Sequence, residues 1–476
     1  MANQRITFTE WTPDQPGIVE NLSVAKNCIP AAVGFIPLPS AVDYSAAASE
    51  NLNSVFAGRF SSTTTLFAGG ATKLFRFDSS DLSMDDVSKS GGYTGVTKWN
   101  FAQFGDTVIA ANNVNKLQAW TLGSSTAFAD LAVAAPVAKY VTVVRDFVVA
   151  ASLDGATNPN KVQWSDINDE TDWTSGNASQ SDFQIIPDGG NITGITGGEF
   201  GLVLMERAIV RMTYIGSPFF FQFDTISKSL GCVEGNSVTK YGNVTYFLGD
   251  DGFYSCDGTN IVPIGNEKVD RWFFGQANPS ELDTMSATVD PIRKIVVWNF
   301  LDNFGQRKLI IYNWQVQKWS YAETSVDVVA YAATAGFTLE GLDTYGNMDT
   351  LTTSLDDALW AGGKLLFAGA TDTKIVTFTG ANMTAEIATG DVGSEGTSVV
   401  TLVRPIVDNG SANVAISSRR LLNENVDYGS YSAASSENRV ALRSGGKYHR
   451  FSVVPTGSQW SNAIGIDIEI TGQGVR

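Results

Sequence analysis

The chain has one histidine, His449, and three cysteines, Cys28, Cys232 and Cys256, in 476 residues. A single histidine excludes most metallohydrolase and histidine-triad chemistry, which uses imidazoles as ligands or bases. Three cysteines without a Cys-x-x-Cys spacing make no disulfide framework. They read as small buried hydrophobes in a reducing compartment. No apolar run reaches the ~18–20 residues of a membrane span. Residues 1–8 carry no apolar signal core, so the expectation is a protein made and folded in a cytoplasm. Nucleotide loops are missing as well. Gly362-Gly363-Lys364 is followed by Leu365, where a phosphate loop needs Ser or Thr. The G-x-G at Gly472-Gln473-Gly474 stands two residues from the end, and no G-x-S-x-G elbow occurs.

Charge is scarce, at 17% of residues against the usual ~25%. Its balance is 32 basic to 49 acidic, or −17. That argues against a nucleic-acid grip, which needs a basic footprint on the phosphates, and against docking on an anionic membrane. DNA could still pass close by without being held. What remains is a weakly charged, turn-rich chain with 46 glycines and a hydrophobic fraction of 43%, ample for a core.

Strand patterns dominate. Runs of β-branched and aromatic residues recur at 64–68, 107–110, 146–150, 202–205, 244–248 and 294–298. Their spacing of about 40–55 residues is the period of propeller blades. Most have a partner strand across a turn, as Tyr246 to Leu248 has beyond Asp251-Gly252, with Asp257-Gly258 following. Asp-Gly is expected to supply the positive φ of a tight hairpin. A lone hairpin cannot bury both faces, so such units must pack radially. The expectation is an all-β protein with a β-propeller body over 46–375. Six blades fit best, with a seventh open over 326–370. Residues 1–45 contain Pro13, Pro16, Pro30, Pro37 and Pro39, which argue for an extended arm that makes assembly contacts. Residues 376–476 alternate over longer stretches and read as a β-sandwich-like C-terminal domain. One helix is expected over Asn266 to Met285, broken at Asn278-Pro279, and a loop or insertion over 336–360.

Chemistry-bearing clusters are few. The densest acidic stretch, Ser165-Asp166-Ile167-Asn168-Asp169-Glu170-Thr171-Asp172-Trp173, invites a calcium loop or a glycosidase carboxylate pair. It lacks the glycine and final bidentate glutamate of an EF-hand, so a structural turn is the reading preferred. Asp250, Asp251 and Asp257 sit on hairpin turns, where Asp accepts local N–H bonds. Asn-x-Ser/Thr at Asn21, Asn177, Asn191, Asn243 and Asn382 has no meaning without a secretory leader. Trp99, Trp120, Trp164, Trp298, Trp314 and Trp319 recur at strand positions and read as core rather than as a sugar platform. No catalytic, cofactor-binding or metal residue is assigned, and the chain is not expected to be an enzyme.

Three stretches together carry a family resemblance. The first is Ala25 to Pro30 with Gly34 to Leu38. The second is Lys161 to Asp166 with Asp172-Trp173, then Gly249 to Gly258 and Ile264. The third is Gly446-Lys447-Tyr448-His449-Arg450-Phe451 with Trp460 to Glu469. In order and total length the chain resembles the tail nozzle proteins of short-tailed bacteriophages, the packaged-DNA stabilisation type. The resemblance implies a structural virion protein of the tail, assembled in the host cytoplasm. Its partners would be itself, as a homohexameric ring, and the head-to-tail adaptor ring under the portal, with tail fibre or spike proteins as further candidates. Genome DNA would pass through the lumen without specific binding, and no cofactor is implied. The competing readings are a carbohydrate-binding or glycan-hydrolysing propeller of a tail spike, and a generic interaction propeller.

Overall fold

The recurrent apolar runs become the second strands of four-stranded antiparallel meanders. Residues 64–68 lie in Thr63–Gly70, 202–205 in Gly201–Met205 and 295–298 in Ile295–Leu301. A second strand is covered on both faces, so these runs are continuously apolar rather than alternating; every residue of Phe147–Leu153 is buried. The computed structural model describes residues 2–18, 20–61, 63–155, 157–176, 179–333 and 365–472. The loop expected over 336–360 and Gly362 to Lys364 lie outside them, as do Asn177, Gln473 and Gly474.

The chain is an all-β propeller. Six meanders are free-standing four-stranded sheets, the number that the spacing favours. Five cover residues 52–86, 100–130, 138–185, 192–227 and 239–263. The sixth joins Val328–Ala333, Leu365–Thr371 and Lys374–Thr377 to Val42–Asp43 from the N-terminal segment. The stretch 326–370, open in the sequence, therefore does supply blade strands. One more four-stranded unit, 286–324, stands in the ring between the fifth and sixth sheets. Its inner strand Ser286–Asp290 packs between Thr239–Tyr241 and Val328–Ala333. This unit is not free-standing. A parallel bridge from Tyr321 to Lys26 continues it into a large mixed sheet with the C-terminal strands.

Neighbouring blades are stitched near the axis by short polar side chains. Ser54 Oγ donates to Trp99 O at 2.9 Å and accepts from Trp99 N at 3.0 Å. Asn100 Oδ1 accepts from Val141 N at 2.7 Å, and Ser286 Oγ accepts from Val329 N at 2.9 Å. Thr196 and Thr245 share a hydroxyl–hydroxyl bond of 2.9 Å. Each bond satisfies a polar group that blade packing would otherwise bury unpaired. The aromatic core follows the expectation for Trp99, Trp120, Trp164, Trp298 and Trp319, which are buried, but Trp314 is half-buried on the turn between Arg307–Asn313 and Lys318–Thr324. All three cysteines are free and buried.

The N-terminal segment, expected as an extended arm that makes assembly contacts, also makes regular pairings within the chain. It is extended, with short strands. Ala2–Thr7 runs antiparallel to Asn462–Gly472, Leu22–Lys26 pairs with Glu386–Thr389, and Val42–Asp43 closes the last blade. The prolines are accommodated rather than excluded: Pro30 and Pro37 end two three-residue strands that pair with each other. The boundary expected at 375/376 falls inside Lys374–Thr377, and the tail sheet begins at Glu386. That sheet is built on two 17-residue strands, Val392–Asp408 and Val440–Thr456. The helical stretch also follows the sequence. A helix spans Asp270–Gln276 and a 3-10 turn spans Pro279–Thr284, with the break at Asn278. Asp14 of the N-terminal segment caps the helix, accepting from Arg271 N and Trp272 N, both at 2.8 Å.

Candidate functional site

The acidic loop 165–173 is held by its own backbone. Asp166 Oδ1 accepts from Ile167 N and Gln180 N, and Asp172 Oδ1 from Thr174 N. Asp169 Oδ1 accepts from Thr171 N at 2.9 Å and from its hydroxyl at 2.6 Å, which keeps that carboxyl below the usual range. These are the bonds of a structural turn. Asp257 likewise caps Thr259 N and Asn260 N, and Asp251 Oδ1 accepts the Tyr254 hydroxyl. Among the described residues no group of His, Cys, Asp and Glu could hold a metal ion.

His449, the only histidine, is fully buried in the tail sheet. Its ring lies between two hydroxyls, Ser418 Oγ at 2.7 Å from Nδ1 and Ser398 Oγ at 2.9 Å from Nε2. Burial lowers its pKa and favours the neutral ring. Nearby, Asp391 holds Arg450 in a bidentate pair, 2.8 and 2.9 Å, and also binds the buried Arg419. Both clusters fasten strands to one another.

The concave site lies on the propeller axis. A cavity of about 790 Å³ opens where the inner strands begin, bordered by Ser54, Trp99, Tyr140, Ser286 and Val328. The charged groups around it come from links between blades and from strand ends, not from the strands' apolar runs. Lys98 stands just before the inner strand Asn100–Phe104, and Lys139 opens the next one. Glu234 caps the short turn Gly235–Ser237, where its Oε1 accepts from Asn236 N at 2.9 Å. Asp283 and Arg307 come from the fused blade and the 3-10 turn before it.

Burial dominates the electrostatics here. It pushes the half-buried Lys98 down to about 8, with its Nζ donating to Met285 O and Glu234 opposing the shift. Burial likewise raises the Glu234 carboxyl, opposed by its bond to Asn236 N and by Lys139 and Lys98. Arg307 has partners: it donates to Thr284 Oγ1 at 2.9 Å and lies 3.7 Å from Asp327. The sequence reading assigned none of these residues. They lie between 24 positions apart, for Asp283–Arg307, and 209, for Lys98–Arg307, and ring closure brings them together.

No protein-family model matches the chain, and no curated protein matches it. Among solved structures it is similar to BamB from Moraxella catarrhalis, with 12% identity over 79% of this chain and 97% of that one, at a TM-score of 0.37. A chain of the mitotic checkpoint complex matches with 9% identity over 73% and 94%, at 0.39. The computationally designed Ika8 protein matches with 9% identity over 70% and 97%, at 0.33. Such overlaps carry no argument about function, and the propeller itself is read from the strand order and pairing. Among the described residues no helix is long and apolar enough to cross a membrane.

Proposed function

We propose that the chain is a structural protein of a short-tailed bacteriophage, forming a homohexameric tail nozzle below the portal and adaptor ring. It retains packaged DNA and conducts it during ejection, without an enzymatic step or a cofactor. The observation that supports this reading best is where two of the three familiar stretches lie. Residues 28–30 and 35–37, then 446–451 and 462–469, all belong to the single mixed sheet that welds the propeller to the tail domain. A weld with an aromatic seam in which the half-buried Trp272 and Tyr321 pack on the buried Trp11, centroids 4.8 to 5.1 Å apart, makes a stiff two-part body suited to a tube wall. Native mass spectrometry with and without the adaptor tests the reading. Six chains of 51.0 kDa should give a ring of about 306 kDa. A protein that stays monomeric at micromolar concentration, and still does so with adaptor present, would overturn it.

A further inference from the structure

We infer that the axial cavity is a binding site for a neutral saccharide. Its volume, about 790 Å³, falls within the ~300–1,000 Å³ of small-ligand sites. Its chemistry is that of unpaired opposites. The half-buried Lys98 and Glu234 border it with the exposed Lys139 and Asp283, and among the described residues none of the four forms a salt bridge. Charges withdrawn from water are normally paired, because desolvation without a partner is costly, and burial bears on Lys98 and Glu234. Lys98 has one protein acceptor for its three N–H groups, and Glu234 has one donor for its two oxygens. Asn113 adds a carbonyl oxygen that is enclosed and without a hydrogen-bond partner.

The balance of signs selects the ligand class. Arg307 and Asp327 on the same wall are matched to each other, and an anion reaching Lys98 and Lys139 would also face the carboxylates of Glu234, Asp283 and Asp372. An amine reaching those carboxylates would face the two ammonium groups. A hydroxyl accepts from an ammonium and donates to a carboxylate with the same oxygen, so a neutral polyol can serve both. Side-chain amides that both donate and accept, from Asn51, Asn53 and Asn236, fit hydroxyls equally well. Phe101, half-buried on the same wall, offers a surface for the C–H face of a sugar ring. The inference does not depend on the nozzle reading, since a ring can form whether or not this cavity is filled.

Saturation-transfer NMR on the full chain tests it, with glucose, galactose, N-acetylglucosamine and lactose as probes and inorganic phosphate and putrescine as charged controls. At least one saccharide should give a signal, and neither control should compete with it. Lys98→Met and Glu234→Gln should each weaken binding about tenfold or more, the loss of a charge-assisted hydrogen bond. Should a variant fail to fold, amine-reactive labelling of the native protein decides instead: the bound saccharide should slow modification of Lys98 and Lys139. The inference is overturned if no saccharide binds, if phosphate or putrescine takes the site, or if binding leaves the labelling of both lysines unchanged.

Discussion

Asp270 is an acid held out of solvent at the start of a helix. It opens the helix Asp270–Gln276 but is 7% exposed, with its carboxyl pressed between Gly252 and Gly265. Burial raises its pKa to about 7; the N–H of Phe253 opposes this, and the charges of Asp14 and Asp251 add to it. The folded value lies above the unfolded one of ~3.9, so the folded state holds the extra proton. This contribution is complete below pH ~4 and is lost as pH rises through about 7. Asp270→Asn keeps a carbonyl oxygen for Phe253 N and never ionises. It should be more stable than wild type at pH 8.5, by roughly 2–4 kcal/mol, and by a clearly smaller margin at pH 5. Parallel urea melts at the two pH values measure this; an equal gap at both would refute it. The same contact shows what the sequence could not display. Gly252 reads as the glycine of an Asp-Gly hairpin, but its φ is not positive; it is small because a Cβ there would sit 2.1 Å from Asp270 Oδ2. Gly258, in the other Asp-Gly pair, does take a positive φ of 89°. One dipeptide thus has two physical causes, and only the local one is visible in sequence.

At the scale of elements, periodicity was legible and pairing partners were not. Blade strands announce themselves because a buried second strand must be continuously apolar, and the turn at Asn278-Pro279 because proline limits the residue before it. The pairing of the N-terminal segment stayed hidden because Ala2–Thr7, Leu22–Lys26 and Val42–Asp43 find their partners hundreds of residues away. The charged groups of the axial cavity stayed hidden for the same reason: Lys98, Lys139, Glu234, Asp283 and Arg307 are unremarkable in sequence and far apart along it. The junction of segment and tail sheet depends on Asp391. Its backbone N–H reaches Gly17 O, and its carboxylate binds Arg419 and Arg450 from two different strands. Its side chain is 3% exposed, so removing it leaves two arginines without their counter-charge. Asp391→Ala should cost about 3–5 kcal/mol, as for one partner of a buried pair. Arg5→Ala should cost no more than ~1 kcal/mol, because the Arg5–Asp467 pair is exposed to solvent. Thermal unfolding of the two variants separates these cases, and comparable losses would show that Asp391 does not anchor the junction.

For the molecule as a whole, the decisive quantity is how its charge is arranged. In the proposed ring, six chains at −17 each carry −102 formal charges. A conduit for a genome must not hold it, since each phosphate contact adds affinity through counterion release and so adds friction. Net charge alone does not ensure this, because a local basic ring could still grip. Within the chain, however, many cations are already matched: Lys89 with Asp130, Lys268 with Glu10, Lys308 with Asp302, and Arg419 and Arg450 with Asp391. A cation committed to a carboxylate has little left to offer a phosphate. The expected lumen is therefore lined mainly by Asp, Glu, Asn, Gln, Ser and Thr, with lysines and arginines in subunit contacts or on the outer face. Acidic walls repel the DNA backbone only at short range, since salt screens beyond about 8 Å. The measurement is duplex DNA binding by the assembled ring at physiological salt and again at low salt. The expected result is no saturable binding at micromolar protein in either. Sub-micromolar affinity that falls steeply with added salt would reveal a basic gripping surface and defeat the account of a low-friction conduit.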